Sequence, residues 1–434
     1  MTKILLCRLG SDYLNILLSA YSINPFRGSE DAVGWNWLLQ LYKNFNEEND
    51  KIYVVTKKFN EEDTVRGIEE AKLKNVELAI VDVPEALNWF REKHSVFHHM
   101  YYILWQKEAY KWAKKSKIKF DIIHHVSMGN YRITGKMYKI KDAYTIFGPV
   151  GGGQTTPPAL KYYYSKQKVY ENYRELVNKV FMYIPWYKKH IKQFDAVYTT
   201  NFETKNIIEK LSGRKCEVIA DISVPNEMKF LEIQERHNDK IRIIYVGRFI
   251  ELKGLMFLVD VVKNIKTQRD FEVVLYGSGE LEESLRKKIN ELHLENVMHI
   301  FGQVEHTEIS QIYRDADIFA HPTFRDSSGL VFAEAMANKL PIVALNQSFA
   351  KILNDNSCGL FVNTTQSREK IVNEFADKLC RLIESPDLRD KLGNNGYNFV
   401  NTQLTMEKKF ETIYMNFKTK SNENFNCKSY YLHQ

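Results

Sequence analysis

The sequence predicts an α/β protein of two parallel-sheet domains of similar size, and three observations carry that prediction. The chain has 434 residues, more than a single core comfortably fills, since domains commonly run to about 100 to 200 residues. Short apolar strand-like runs alternate with helix-length amphipathic segments from end to end, which is the pattern of parallel strands joined by crossover helices. The alternation occurs twice, with the charged stretch NEMKFLEIQERHNDK between the two series.

In the first series the strands read as ILLSAYS, KIYVVT, VELAIV, FDIIHHV, AYTIFG and AVYTT, and in the second as CEVIA, IRIIYVG, EVVLYG, VMHIFG, IFAHP and PIVAL. Helical periodicity falls between them, for instance over Ala32–Tyr42, Gly254–Lys266, Leu281–Leu292 and Leu330–Asn338. The boundary lies between 205 and 238 and is set at 215/216. This gives an N-terminal domain 1–215 and a C-terminal domain 216–405, then a terminal helix 406–418 packing back toward the first domain and a polar tail 419–434. Residues 1–13 read as a loose extension ahead of the first strand.

Composition narrows the class. Hydrophobic residues make up 44% and charged residues 26%, ordinary for a soluble globular chain and against long disordered regions. The five cysteines are scattered and contain no CxxC pair, so neither a disulfide framework nor a zinc site is predicted and a reducing cytoplasm fits best. No apolar run reaches the roughly 18 residues that a span requires, and Arg8, Asp12 and Asn15 interrupt the N-terminus. Neither a signal peptide nor a transmembrane helix is expected.

The net charge of +7 is uneven. Between Arg91 and Phe194 there are 20 Lys and Arg against 6 Asp and Glu, +14, which leaves −7 for the rest of the chain. This segment 91–194 is also rich in aromatics, a mixture that suits an anionic membrane surface and a peripheral place on the inner face of the cell membrane. The blander reading is a solvated basic face over core aromatics. Charge alone would attract nucleic acid as well, but no nucleic-acid partner is expected.

The chemistry concentrates in HPTFRDSSGLVFAEAMANKLPIVAL. A strand ends at Pro322, a Ser/Ser/Gly turn follows and a helix opens at Leu330, so the backbone N–H groups of Ser328, Gly329 and Leu330 are placed to bind an anion. Glu334 is flanked by apolar residues, and a buried carboxylate requires partners. A ribose diol would supply two donors, with Asp326 on the preceding loop taking a hydroxyl of a sugar; bracing of a neighbouring backbone segment is the alternative.

This stretch resembles the motif of glycosyltransferase family 4, the group 1 glycosyltransferases of GT-B fold, in which two acids eight positions apart contact the donor sugar and the nucleotide ribose. Asp326 and Glu334 have that spacing. The departure is Asp326 where glutamate is commoner, with Ser327 and Ser328 behind it. The resemblance implies two Rossmann-like domains with parallel sheets facing across a cleft. It extends to IIYVGRFIELKG, where Gly247, Arg248 and Lys253 match the loop that grips a diphosphate; two cations beside a glycine-bearing loop also suit a leaving pyrophosphate on physical grounds. VVLYGSGELEESLRKKI, with Gly277 at its turn, resembles the segment passing the nucleotide, and HIFGQVEHTEIS the loop by the base, with Gln303 and Val304 as neighbours. The Asp315, Ala316, Asp317 triplet spells DxD, but it closes a helix leading into a buried strand, where such acids cap or salt-bridge; no metal is expected.

The N-terminal half adds weaker features. SAYSINPFRGSEDAVGWNWLLQL is a strand, a loop and a helix, and it resembles a loop that closes over the donor phosphates, with Gly28, Ser29 and Glu30 at the turn. FDIIHHVSMGNYR ends a strand at His124 and His125, where the family carries a histidine lining the donor-sugar pocket. His125 is taken as that residue, although alternation aims only one of the two into a cleft and leaves open which. TIFGPVGGGQTTPP resembles a glycine-rich loop facing the cleft, with Gly151 to Gly153 too flexible to serve packing.

The resemblance implies retaining transfer of a hexose-type sugar from a nucleoside diphosphate sugar to a hydroxyl of a glycan or lipid-linked acceptor, as in bacterial surface polysaccharide synthesis. No resident cofactor is implied, the sugar nucleotide being the substrate. A sugar-nucleotide epimerase of the same fold and a non-catalytic sugar-nucleotide binding protein are the rivals. A dehydrogenase is disfavoured because no GxGxxG follows the first strand.

Overall fold

The computed structural model of the chain describes residues 13–27, 30–45, 49–84, 95–181, 183–222, 240–326 and 329–414. Gly28, Ser29, Ser327, Ser328, residues 1–12 and the tail beyond 414 lie outside them.

Two parallel sheets organise the molecule. The first has seven strands: β1 (Asn15–Ser19), β2 (Lys51–Thr56), β3 (Val76–Ile80), β4 (Ile122–His125), β5 (Tyr144–Val150), β6 (Ala196–Thr199) and β7 (Glu217–Val218), in the order β3-β2-β1-β4-β5-β6-β7. Its helices are α1 (Glu30–Asn44), α2 (Glu61–Glu70), α3 (Ser95–Lys115), α4 (Gln167–Phe181), α5 (Pro185–Ile191) and α6 (Phe202–Ser212). The second sheet has six: β8 (Ile241–Val246), β9 (Phe271–Tyr276), β10 (Met298–Gly302), β11 (Ile318–His321), β12 (Ile342–Leu345) and β13 (Gly359–Val362), in the order β10-β9-β8-β11-β12-β13. With it go α7 (Leu255–Lys263), α8 (Glu282–Glu291), α9 (His306–Arg314), α10 (Leu330–Ala337), α11 (Ala350–Asp355), α12 (Arg368–Glu384) and α13 (Pro386–Gln403).

The apolar runs become strands because both faces of each sheet are covered, so successive residues serve opposite cores. Ile16 and Leu18 of β1 enter the cluster that holds Trp37 and Leu41 of α1, while Leu17 between them enters the one that holds Tyr102 and Trp105 of α3. In the second sheet Ile243 and Tyr245 face Phe257 and Leu258 of α7, and Ile244 faces Phe332 and Met336 of α10.

Three expectations are corrected. CEVIA was assigned to the second series, but Glu217–Val218 pairs with β6 and closes the first sheet, so the domain boundary falls beyond β7 and not at 215/216. β13 was not anticipated; its run GLFV is too short to stand out from its surroundings. The aromatics of α3 are core, with Tyr101, Tyr102 and Trp105 all buried, so that part of the basic segment follows the bland reading. A last helix over residues 406–414 returns to the first domain, where Phe410, Ile413 and Tyr414 join the cluster of Trp37 and Phe45.

A segment of the first half crosses the other way. Leu160 and Tyr164 lie in the core of the second domain with Phe257 and Phe324, and the Tyr163 hydroxyl donates to Asp260 at 2.8 Å. Glu251, itself buried, accepts from the backbone N–H groups of Ser165, Lys166 and Gln167 at 3.0–3.1 Å, at the N-terminus of α4. A carboxylate there meets unpaired amides and the positive end of the helix dipole. Burial pushes its pKa up, but the Ser165 hydroxyl and these amides outweigh that and hold it below the ordinary value.

Candidate functional site

In an open parallel sheet the ligand crevice opens beyond the carboxyl ends of the strands, where the strand order reverses. In the second sheet that place lies between β8 and β11, which are hydrogen-bonded neighbours with crossovers leaving to opposite sides. The loops leaving these two strands carry Arg248 and Lys253 on one side and Asp326 on the other. Phe324 N–H donates to Leu252 O at 2.9 Å, which ties the loops together. Lys253 Nζ then reaches Asp326 Oδ2 at 2.6 Å. Gly254 makes the approach possible: at φ +71 its missing Cβ would stand 2.1 Å from Pro322 O.

Glycines floor this crevice. Gly247, Gly277 and Gly302 end the adjacent strands β8, β9 and β10, all with positive φ. A Cβ on Gly277 would meet Gly247 O at 2.0 Å, and Gly277 N–H donates to Gly302 O at 2.7 Å. At Gly277 and Gly247 the missing side chain makes room for neighbouring protein atoms, while a Cβ on Gly302 would meet nothing within 4 Å. Arg248, next to Gly247, is exposed, and its guanidinium makes no hydrogen bond or ion pair among the described residues. Gln303 is exposed and accepts from Ser278 Oγ at 3.3 Å, while Val304 packs at the edge of the cluster holding Phe332.

Glu334 sits on α10 and is 5% exposed. Its Oε2 accepts from the Tyr313 hydroxyl at 2.9 Å, a partner on α9 that its surroundings demand and that the sequence did not single out. Burial and this carboxylate raise the Tyr313 pKa well above its usual value, keeping the phenol a donor. Gly329 is the N-cap of α10 and has no side chain to cap the opening amides; Leu330 is exposed at this end, so the start of the helix turns to the outside of the core.

His321, at the end of β11, is a site residue that the sequence reading passed over. It is buried, its ring stacks near Phe319 and Phe332, and neither ring nitrogen has a hydrogen-bond partner among the described residues. Burial, with Lys253 adding and Asp326 opposing, pushes its pKa down to about 3, so it is neutral.

The remaining candidates stand elsewhere. His125 is enclosed in the first domain: its Nε2 hydrogen-bonds the Tyr102 hydroxyl at 2.6 Å, its Nδ1 lies 3.2 Å from Ser19 Oγ, and Phe147 stacks on it. Burial pushes its pKa down to about 4. His124 is on the opposite face, bonded to Tyr414 Oη and Gly148 O. Neither imidazole presents a free nitrogen to a cleft, so the role given to His125 loses its geometric basis. Gly28 and Ser328 fall outside the described residues. Asp315 accepts from Gln311 and Asp317 from the β8 backbone at Arg242, both at the amino end of β11 away from Asp326.

The glycine-rich loop is packed, contrary to expectation. A Cβ on Gly153 would stand 2.8 Å from Thr204 Cα, and Arg174 of α4 donates to Gly152 O at 2.7 Å and Gln154 O at 2.6 Å. One turn earlier, Glu171 is wholly buried and grips Arg325 at 2.8 and 3.1 Å. Arg325 precedes Asp326, so α4 joins the glycine loop of the first domain to the acidic loop of the second.

Residues 227–399 match the family model for glycosyl transferases group 1. Alpha-D-kanosaminyltransferase of Streptomyces kanamyceticus is 26% identical over 173 residues, 39% of this chain and 44% of that protein. Alpha-monoglucosyldiacylglycerol synthase of Acholeplasma laidlawii is 25% identical over 195 residues, 44% of this chain and 47% of that one. The chain thus spans about half the length of these curated relatives. Among solved structures, Anabaena HepE in complex with UDP and glucose superposes with a TM-score of 0.56 at 15% identity, over 94% of this chain and all of that one, a likeness of fold. The chain as a whole has the GT-B fold, and its residues 227–399 carry the group 1 glycosyltransferase match.

Proposed function

We propose that the chain transfers a hexose-type sugar from a nucleoside diphosphate sugar to a hydroxyl of a glycan or lipid-linked acceptor, with retention at the anomeric carbon, in assembly of a surface polysaccharide on the cytoplasmic side of a membrane. The observation that carries this reading is the Lys253–Asp326 pair at the switch point of the second sheet, beside an exposed Arg248 that has no partner among the described residues and the glycines that end β8 and β9. The names of the relatives and the UDP and glucose held by HepE support it.

In this reading Arg248 and Lys253 meet the diphosphate, with the α10 amides at Gly329 and Leu330 adding their dipoles. Stabilising the charge that develops on a leaving group is the largest lever such a site has. Asp326, relieved of Lys253, takes a hydroxyl of the transferred sugar, and Glu334, oriented by Tyr313, takes the ribose. The bond from the anomeric carbon to the diphosphate oxygen breaks, and the acceptor oxygen bonds to that carbon on the same face. The acceptor proton passes to the departing phosphate oxygen. Charge is balanced by the two cations, so no metal and no resident cofactor enters.

The test is transfer from UDP-, GDP-, ADP- and dTDP-sugars, preceded by thermal shift, since a ligand of the native state raises the melting temperature. Arg248→Ala should lower turnover about 100-fold, the scale of losing one donor to a developing anion. Unchanged transfer by this variant, or epimerisation of the donor without an acceptor, would overturn the reading.

A further inference from the structure

Helix α4 is turned inside out. The side it presents to the protein is polar: Glu171 holds Arg325, Arg174 holds the carbonyls of Gly152 and Gln154, and Asn178 Oδ1 accepts from Tyr131 and Arg132. The side it presents outward is apolar. Val169, Tyr173, Leu176 and Val180 recur at helical spacing and are 56–77% exposed, and Tyr183 and Trp186 continue the surface into α5. Surface helices normally bury the apolar stripe and solvate the polar one, and contiguous apolar patches on a soluble surface mark contact sites.

Charge identifies the occupant. Lys166, Lys168, Lys179, Lys188, Lys189 and Lys192 are all exposed around this stripe. The acids of the stretch are already satisfied, Glu171 by Arg325 and Glu175 by Lys161 at 2.7 Å. An apolar strip set with Tyr and Trp and bordered by unopposed lysines matches the boundary between headgroups and acyl chains of an anionic bilayer. A second copy fits poorly: a two-fold contact places the same patch on both sides, and six lysines would face six.

We propose that the outer face of α4 and α5 docks the protein on an anionic lipid bilayer. The inference stands apart from sugar transfer and is read without donor or acceptor. The full chain is co-sedimented with phosphatidylcholine vesicles with and without phosphatidylglycerol, at low and high salt. Binding is expected only with phosphatidylglycerol, weakening as salt screens the lysines. The double variant Tyr173→Glu/Leu176→Glu should lose about 10-fold or more in bound fraction, and Lys179→Gln/Lys188→Gln/Lys189→Gln should lose a comparable amount. These side chains are exposed, so far-UV circular dichroism and the melting temperature should not change. Failure of the unmodified chain to bind at low salt, or equal binding by both variants, overturns the proposal. So does a dimer that the Glu variant dissociates in the absence of vesicle binding. Transfer to a soluble acceptor, measured in parallel, is unaffected by loss of docking, which separates failure here from failure of the transferase reading.

Discussion

Lys253 Nζ and Asp326 Oδ2 meet at 2.6 Å across the loops that leave β8 and β11, 73 residues apart in sequence. With side chains 19% and 28% exposed, this pair gains little from its own attraction, because ion pairs that water reaches are worth about 0–1 kcal/mol. Its position at the crevice therefore points to function more than to stability. Lys253→Ala should cut turnover about 100-fold while shifting the melting temperature only slightly. A large fall in melting temperature, with activity per folded molecule retained, would make the pair structural. Asp326→Asn should raise KM for the donor more than it lowers kcat, since it releases Lys253 for phosphate but weakens the grip on the sugar.

Glu171 and Arg325 form the opposite case. Glu171 is 0% exposed and bonded through both oxygens, so removing one partner strands a buried charge. Glu171→Ala should destabilise the chain by about 3–5 kcal/mol, the usual cost of breaking a buried pair. Glu171→Ala/Arg325→Met should recover part of that loss in urea unfolding, because the Arg325 charge no longer stands alone, although Arg174, 4.0 Å from Glu171, still loses its carboxylate. If the double variant is as unstable as the sum of the singles, the two residues are not coupled.

Gly254 holds the site by what it lacks. At φ +71, with a virtual Cβ 2.1 Å from Pro322 O, Gly254→Ala pays both for a left-handed backbone, about 1–2 kcal/mol, and for a displaced strand end. Loss of donor binding should accompany the loss of stability, since Lys253 and Pro322 move together. A variant that binds donor normally would show that the loop tolerates the shift.

What the sequence made legible and what it hid follow from the range of the forces. The alternating apolar runs reported both faces of two covered sheets, so eleven of the strand readings fell in the right domain order; CEVIA went astray because a two-residue edge strand has almost no pattern of its own. Arg248, Lys253 and Asp326 could be found because glycine-bearing loops and charge stand out locally. Tyr313, Glu171 and Arg325 could not, because each matters through a partner distant in sequence, and a Tyr on a helix or an acid in a basic run looks like packing or solvation. Gly153 misled for the same reason: three glycines look flexible until the helix carrying Thr204 is laid against them.

Three buried imidazoles contribute to the response to acid. Burial pushes His124 and His321 down to about 3 and His125 to about 4, against an ordinary value of 6.5. The unfolded chain therefore binds protons between pH 6.5 and about 4 that the folded chain refuses. The stability these neutral rings permit is complete above pH 6.5 and is lost as pH falls through that window, each ring contributing about 1.4 kcal/mol per pH unit. Lowering pH from 7 to 5.5 should thus cost about 4 kcal/mol from the three rings together. His321 makes no hydrogen bond among the described residues and packs against Phe319 and Phe332, so His321→Phe tests the share of one ring with little disturbance. Urea unfolding of that variant should show a loss between pH 7 and 5.5 smaller by about 1 kcal/mol. An unchanged loss would mean that His321 is protonated in the native state, and that a counter-charge, Asp326 being the nearest on hand, reaches its ring in solution.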